Sequence, residues 1–495
     1  MENHKAAVSR ISSRIASFYE KQTPFRIYHG STNSTQHRKI DPNRMVDTSR
    51  LKNVFQVDTQ KKTCLAEPNV AMDELVDAVA PYGLLPPVVM EFPGITVGGG
   101  FAGTAGESSG FKYGFFDSTV NWIEMVLPDG QVVNASPTER RDLFYGAAGT
   151  LGTLGVATLF EIQLIEAKPY VELTYHPVTS VRESLDIMTA STKVSSNDFV
   201  DGIQYANDRG VIVTGRLTND LSPDVRLQRF SRARDPWFYI HVERSASRSL
   251  EPIKETTPVR DYLFRYDRGA FWTGKYAFEY FITPFNRITR WALDYFMHTR
   301  VMYHALHASG HASKYIVQDL LLPQRTAEDF INWVSAEFGF WPLWLCPLKP
   351  GQEVAMHPHL AGGDYDEDKT ITFVNIGVWG PGPTNYAKFV NVNRQLEQKV
   401  RELGGIKWLY AQAYYSEDEF WQIYDRKWYD ALREKYHATY LPNVYQKVRV
   451  DLSKLYSGTE SWNEWLRGVV WNVWPVSGVY GVLKTLYERE YLLGK

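Results

Sequence analysis

Apolar positions in the first 170 residues switch between two periods. Ile11, Ile15 and Phe18 recur at helical spacing in an otherwise polar opening, MENHKAAVSRISSRIASFYEK, which predicts an amphipathic helix. These residues carry no apolar run of signal-peptide type, so a secreted protein is not expected. Pro24 to Gly30 reads as a strand entering a glycine turn. Val54 to Asp58 and Thr63 to Ala66 read as a hairpin with its turn near Gln60 to Lys62. Met72 to Tyr82 has Leu75, Val76 and Val79 on one helical face, with Asn69 placed as N-cap. Trp122 to Val133 reads as a strand pair around the turn Pro128-Asp129-Gly130. A glycine-rich turn over 146–159 leads into a strand over 158–165. Strands interleaved with helices predict a first mixed domain over residues 1–170.

Beyond it the pattern changes. Strand-like runs over 200–205, 211–214 and 371–378 mix with long aromatic helices over about 285–307, 327–338, 389–403 and 417–435. This predicts a second α+β domain over 171–450, giving a two-domain α+β chain. The charge-rich segment 244–268 reads as a surface excursion. In the aromatic tail, 451–495, four tryptophans (Trp462, Trp465, Trp471 and Trp474) fall within 13 positions, and Leu466 to Leu483 carries one charge, Arg467. Pro475, Gly478 and Gly481 interrupt a continuous membrane span. Two readings of the tail stay open: an element lying in a membrane interface through 462–487, or a tail packed on the body or on a second subunit.

Composition narrows the function classes. With 54 Lys+Arg against 56 Asp+Glu, the 495-residue chain has a formal charge of −2, which argues against a generic nucleic-acid binder. Aromatics reach 14%, which suits flat or apolar ligands and large aromatic cores alike. Cys64 and Cys346 offer neither a disulfide framework nor zinc spacing. Two cysteines fit a reducing compartment. His304, His307 and His311 stand near helical spacing without Cys or acid partners, so they read as a polar helix face and no metal site is expected. No Ser-His-Asp or HExxH pattern occurs.

The strongest local signal is the segment 94–114, with eight glycines in 21 residues. Glycine lets the backbone come close to a ligand, and successive free amides hold phosphate oxygens. Gly98, Gly100 and Gly103 spell a literal GxGxxG, but the dinucleotide fingerprint must turn straight into a helix. Here the glycines run on as Thr104-Ala-Gly-Glu-Ser-Ser-Gly110, where no clean helix start is expected. The segment therefore reads as a diphosphate cradle with Thr96, Gly99, Gly100, Gly103, Thr104, Gly106, Glu107, Ser108, Ser109, Tyr113 and Gly114 as candidates. Two further loops add donors: His29, Gly30, Ser31, Thr32, Asn33 and Ser34 after the first strand, and Gly152, Thr153, Gly155 and Val156 before a later one. Three donor-rich loops in one domain suit one long ligand, and FAD has the diphosphate, adenine and flat ring to use them.

The order of these loops resembles the FAD-binding domain of the vanillyl-alcohol oxidase type. Within it, the chain resembles the delta-24 sterol reductase (Diminuto) family. The pieces that carry the likeness are Thr96-Val-Gly-Gly, Gly103-Thr-Ala-Gly-Glu-Ser-Ser-Gly-Phe-Lys-Tyr-Gly114, Asp142-Leu-Phe-Tyr145 and Gly152-Thr-Leu-Gly155. It continues through Asp201-Gly202, Ile316-Val-Gln-Asp-Leu-Leu-Leu-Pro323, Trp341-Pro-Leu-Trp-Leu-Cys-Pro347, Leu409-Tyr-Ala411 and Glu419-Phe-Trp421, over roughly residues 10–450. The sequence departs from the family at Gln412 and Ala413, where an acid and a cysteine are expected, and the opening residues lack the membrane anchor of animal and plant members. His29 sits one place early for the covalent flavin link of related oxidases, and no Cys lies near the second loop, so FAD is expected to be non-covalent.

The resemblance implies a cap domain over the flavin, with a C-terminal return to the FAD domain. It implies NADPH as reductant of FAD, and hydride delivery to one carbon of an isolated alkene in a sterol-like or isoprenoid lipid. The other carbon needs a proton, for which Glu107, Asp319, Tyr410 and Tyr414 are the candidate donors. It also implies a site in the cytoplasm or on the cytosolic face of the endoplasmic reticulum. An FAD-dependent oxidase or oxidative cyclase acting on a lipophilic secondary metabolite remains an alternative on the same fold, as does a non-catalytic binding protein.

Overall fold

The alternating runs of the first 170 residues close into an antiparallel sheet. The computed structural model describes residues 1–30, 41–221, 226–247, 250–349, 356, 373–451 and 474–488. Among these, strands β1 (Val54–Asp58), β2 (Thr63–Ala66), β3 (Val120–Val126), β4 (Val132–Ala135) and β5 (Val156–Gln163) form one sheet in the order β1-β2-β5-β3-β4. The expected hairpins are present, with Val57 opposite Cys64 and Ile123 opposite Ala135. The opening helix, Glu2–Glu20, buries Ile11, Ile15 and Phe18 as its spacing requires. The helix Met72–Val79 ends in a 3-10 turn, and Ala71 rather than Asn69 precedes it. Asn69 instead turns its amide to the Thr48 carbonyl at 2.5 Å.

The second half builds a larger antiparallel sheet from β6 (Tyr170–Val178), β7 (Phe199–Ala206), β8 (Arg209–Thr218), β9 (Ile253–Pro258), β10 (Tyr315–Pro323), β11 (Leu343–Leu348), β12 (Phe373–Pro381) and β13 (Ile406–Lys407), in the order β9-β6-β8-β7-β11-β12-β10-β13. Helices Val181–Thr192, Gln324–Phe338 and Tyr386–Glu402 bury one face of it through Leu185, Phe330 and Leu396. The other face shares a core with the first sheet, in which Trp344 and Trp408 join Phe115 and Phe116.

Several elements differ from the sequence reading. The segment 285–307 is broken: Arg287–Ala292, a 3-10 turn Asp294–Met297, then Thr299–Ser309. Asp267 accepts from the Thr299 N–H at 3.0 Å, so a carboxylate remote in sequence starts the last of these. The segment 417–435 is likewise two helices, Glu417–Ile423 and Arg426–Lys435. Residues 409–415 form an irregular segment. The segment 244–268 is no surface excursion: Arg265 and Arg268 are buried. In the tail, helix Val476–Glu488 packs on Thr299–Ser309, with Ser477 3.0 Å from His311 Nε2. Trp462, Trp465 and Trp471 lie outside the described residues.

Candidate active site

The glycine segment is bonded to both halves of the molecule. Gly98 N–H donates to the Pro68 carbonyl at 2.8 Å, while Val200 N–H donates to Ser108 and Lys349 N–H to Gly110, at 2.8 and 3.1 Å. A Cβ at Gly110 would stand 2.3 Å from Leu348 Cδ2, so the Leu348 side chain of β11 packs into the space that glycine leaves. A short helix, Val97–Ala102, does begin inside the segment, contrary to expectation, because Thr96 Oγ1 accepts from the Gly99 N–H at 3.1 Å.

Beside this segment opens a cavity of about 1230 Å³, larger than the roughly 300–1,000 Å³ of a drug-sized site. One wall is bare main chain: Gly30 from the first loop, Gly98, Gly99 and Gly103 from the second, Gly152 and Gly155 from the third. At Gly99 an added Cβ would meet a single atom outside its own helix, Thr96 Oγ1 at 3.1 Å. Another wall is apolar, with Phe271, Phe296, Met302, Leu306, Val479 and Leu483. The Gly98, Gly99 and Gly103 N–H groups already donate within the chain, so this wall offers close backbone approach rather than free amides. Beside aromatic and aliphatic surface it fits FAD and leaves room for a lipophilic molecule.

One polar group of the cavity centres on Asp319 of β10. Asp319 accepts the Tyr410 hydroxyl on one carboxylate oxygen and the Asn375 amide, at 3.0 Å, on the other. Burial pushes its carboxyl up to about 6, and the two donors hold it from rising further. Burial, with the Asp319 charge beside it, pushes the Tyr410 hydroxyl well above its usual range. Behind this group lies a dry ion pair: Arg265 meets Asp201 at 2.7 Å with neither side chain exposed. Tyr266 and the Trp344 indole also donate to Asp201, at 2.8 and 3.1 Å.

The sequence-predicted residues divide. His29, Gly30, Thr96, Gly99, Gly103, Gly106, Gly152, Gly155 and Val156 line the cavity, as do Asp319 and Tyr410. Ser31, Thr32, Asn33 and Ser34 fall outside the described residues. Gly100, Thr104, Glu107, Ser108, Ser109, Tyr113, Gly114 and Thr153 are off the wall. The Ser108 and Ser109 hydroxyls bond Glu107, and Thr153 pairs with the Tyr429 hydroxyl at 2.7 Å. Glu107 thus orders its own loop. Tyr414 is also off the cavity, with its hydroxyl on Gln412 at 2.8 Å and its N–H on Glu397 at 2.9 Å. His304 and His307 line the cavity instead of forming a polar outer face.

Comparison with known proteins agrees with this arrangement. Residues 6–136 match the FAD binding domain family. The Delta(24)-sterol reductase of Homo sapiens is 32% identical over 427 residues, 83% of this chain and 78% of its own length. The chain belongs to the Delta(24)-sterol reductase family. It is a flavin-dependent oxidoreductase. The Arabidopsis thaliana reductase is 29% identical over 444 residues, covering 82% of this chain and 76% of its own. Cytokinin dehydrogenase 9 of Oryza sativa is similar over 152 residues only, at 30% identity, covering 30% of this chain and 29% of its own.

In this Delta(24)-sterol reductase family member, several polar cavity residues escaped the sequence reading, among them Asp73, Arg300, Asn375 and Glu91. Glu91 lines the cavity, is 8% exposed, and has no hydrogen-bond partner on Oε1. It lies in an irregular stretch between apolar neighbours, Met90 and Phe92. A lone acid there interrupts an apolar run (Val88-Val-Met-Glu-Phe92), which is the one signal that marks it.

Proposed function

We propose that this protein uses non-covalent FAD and NADPH to saturate a carbon–carbon double bond in a sterol-like or isoprenoid lipid. The observation that carries the reading is that one cavity joins a glycine-bare wall, an apolar wall and the Asp319–Tyr410 pair. The Delta(24)-sterol reductases that the chain resembles supply the sterol. A bound, reduced flavin supplies a hydride equivalent. The side-chain-free glycine loops would let the flavin's diphosphate approach the backbone closely, and Phe271, Phe296 and their neighbours would exclude water from the alkene. Asp319, held by Tyr410 and Asn375, orients polar groups in that region.

Lipid substrates reside in membranes, and the surface near the apolar wall suits one. Ile282, Ile288, Trp291 and Tyr487 are 75, 75, 59 and 89% exposed, on segments that flank or pack against the Thr299–Ser309 helix. Leu483 is exposed yet also lines the cavity. No helix among the described residues is long and apolar enough to cross a membrane. We therefore read the 282–295 and 474–487 segments as a peripheral contact with a lipid surface, such as the cytosolic face of the endoplasmic reticulum.

The test is product analysis. Purified protein supplied with FAD, NADPH and a Delta(24)-unsaturated sterol under nitrogen yields the sterol heavier by two hydrogens. Recovery of unchanged sterol with consumption of oxygen in air points to the oxidase instead.

A further inference from the structure

Glu91, Glu107 and Asp319 form one electrostatic group. Charge on Glu107 and on Asp319 each opposes ionisation of Glu91. The three differ in what donates to them. Glu107 accepts the Ser108 hydroxyl at 2.6 Å and the Ser109 N–H at 2.8 Å, and stays off the cavity wall. Asp319 accepts on both oxygens, from Tyr410 and Asn375. Tyr410 has already committed its hydroxyl proton to Asp319. Glu91 alone of the three combines a place on the cavity wall with a carboxylate oxygen, Oε1, that is buried and that no described group reaches.

An oxygen without a donor, buried beside two other acids, favours the neutral carboxyl. Burial first, then the Glu107 charge, push Glu91 well above the usual carboxylate range, against the pull of its own backbone N–H and of Arg265. Asp319, with two donors, titrates near 6. Environments that push two acids apart in this way assign one as proton carrier and the other as charge. The segment bearing Glu91 is also held. Pro93 offers its carbonyl to Arg300 at 3.1 Å, and the Phe92 ring packs 5.8 Å from Phe271 and 5.9 Å from Tyr303.

We propose that Glu91 is the general acid of alkene reduction, giving its carboxyl proton to the carbon that does not receive hydride. The inference rests on the reductase reading above. The alkene π bond breaks. One carbon gains hydrogen together with an electron pair from the reduced cofactor. The other gains the proton as the Glu91 O–H bond breaks and a C–H bond forms. Reduction of the alkene is matched by oxidation of the cofactor, and the Glu91 carboxylate regains its proton from water.

The experiment compares holoenzyme with Glu91→Gln. Both are reduced by NADPH under nitrogen and mixed with a Delta(24)-unsaturated sterol, while the flavin band is followed. NADPH reduces both at similar rates, and sterol-driven reoxidation slows about 10²–10⁴-fold in the variant. Equal reoxidation rates overturn the proposal. If the wild type itself fails to reoxidise, the reductase reading falls, and a second readout judges Glu91 without turnover. The resting wild type shows a protonated-carboxyl infrared band that shifts on ¹³C-glutamate labelling and weakens in Glu91→Gln. An unchanged band overturns the proposal. Should Glu91→Gln lose its flavin, Glu91→Asp serves: it keeps the band and slows reoxidation, and a rate equal to the wild type overturns the proposal.

Discussion

Arg265 Nη2 lies 2.7 Å from Asp201 Oδ2, and both side chains are wholly buried. The guanidinium also sits over the Tyr262 and Tyr266 rings, 4.0 and 4.6 Å from their centroids. Removing either charge strands the other in a dry core. Asp201→Ala and Arg265→Met each lower unfolding free energy by about 3–5 kcal/mol. The double variant is less unstable than the sum, because neither charge is then left alone. Urea unfolding of the four proteins measures this.

Gly155 tests the cradle. Its φ is +143°, and a Cβ there would stand 2.8 Å from the Val126 carbonyl oxygen. Gly155→Ala destabilises by about 1–3 kcal/mol through backbone strain. It also lowers the FAD-to-protein ratio of the purified enzyme, read from the flavin and protein absorbances. An unchanged ratio shows that the third loop does not hold the cofactor.

What was legible in the sequence follows from the range of the interactions. The hairpins at 54–66 and 120–135 announce themselves because alternation and a turn are local signals. Asp319 could be singled out because its strand is regular and apolar around it. Ser108 and Ser109 look like cofactor donors until Glu107 is seen to use their hydroxyls. Arg265 reads as surface because its partner, Asp201, is 64 positions earlier. The breaks within 285–307 depend on Asp267, which starts the last helix from outside. Glu91 carries no motif spacing; its one mark in the sequence is that it interrupts an apolar run, and the cavity gives that mark a meaning.

His4 makes stability depend on pH. It is 2% exposed and bonds Glu67 at 2.8 Å and Glu124 at 3.0 Å. Glu124 chiefly, then Glu67, raise its imidazole to about 9 from 6.5. A raised folded-state value means the contribution is whole below 6.5 and lost as pH rises through 9. His298, lowered by burial but raised more by Asp267 and Asp294, also reaches about 9 and acts in the same direction. Wild-type urea midpoints therefore fall between pH 6.5 and 9. In His4→Gln the protein is less stable at pH 6.5 and declines less steeply, keeping the His298 share.

The exposed apolar patch predicts lipid binding. Trp291→Ser with Tyr487→Ser removes two of its largest side chains without touching the cavity wall. Co-sedimentation with phosphatidylcholine vesicles falls several-fold, while turnover of sterol dispersed in detergent is retained. Equal sedimentation of wild type and variant places lipid contact elsewhere.

The most direct test of the central claim is a single anaerobic turnover. The flavin band of the purified holoenzyme bleaches on addition of one equivalent of NADPH. A Delta(24)-unsaturated sterol then restores it under nitrogen, with one saturated sterol formed per flavin. A band that NADPH leaves unchanged, or that returns only with oxygen and leaves the sterol intact, contradicts the account.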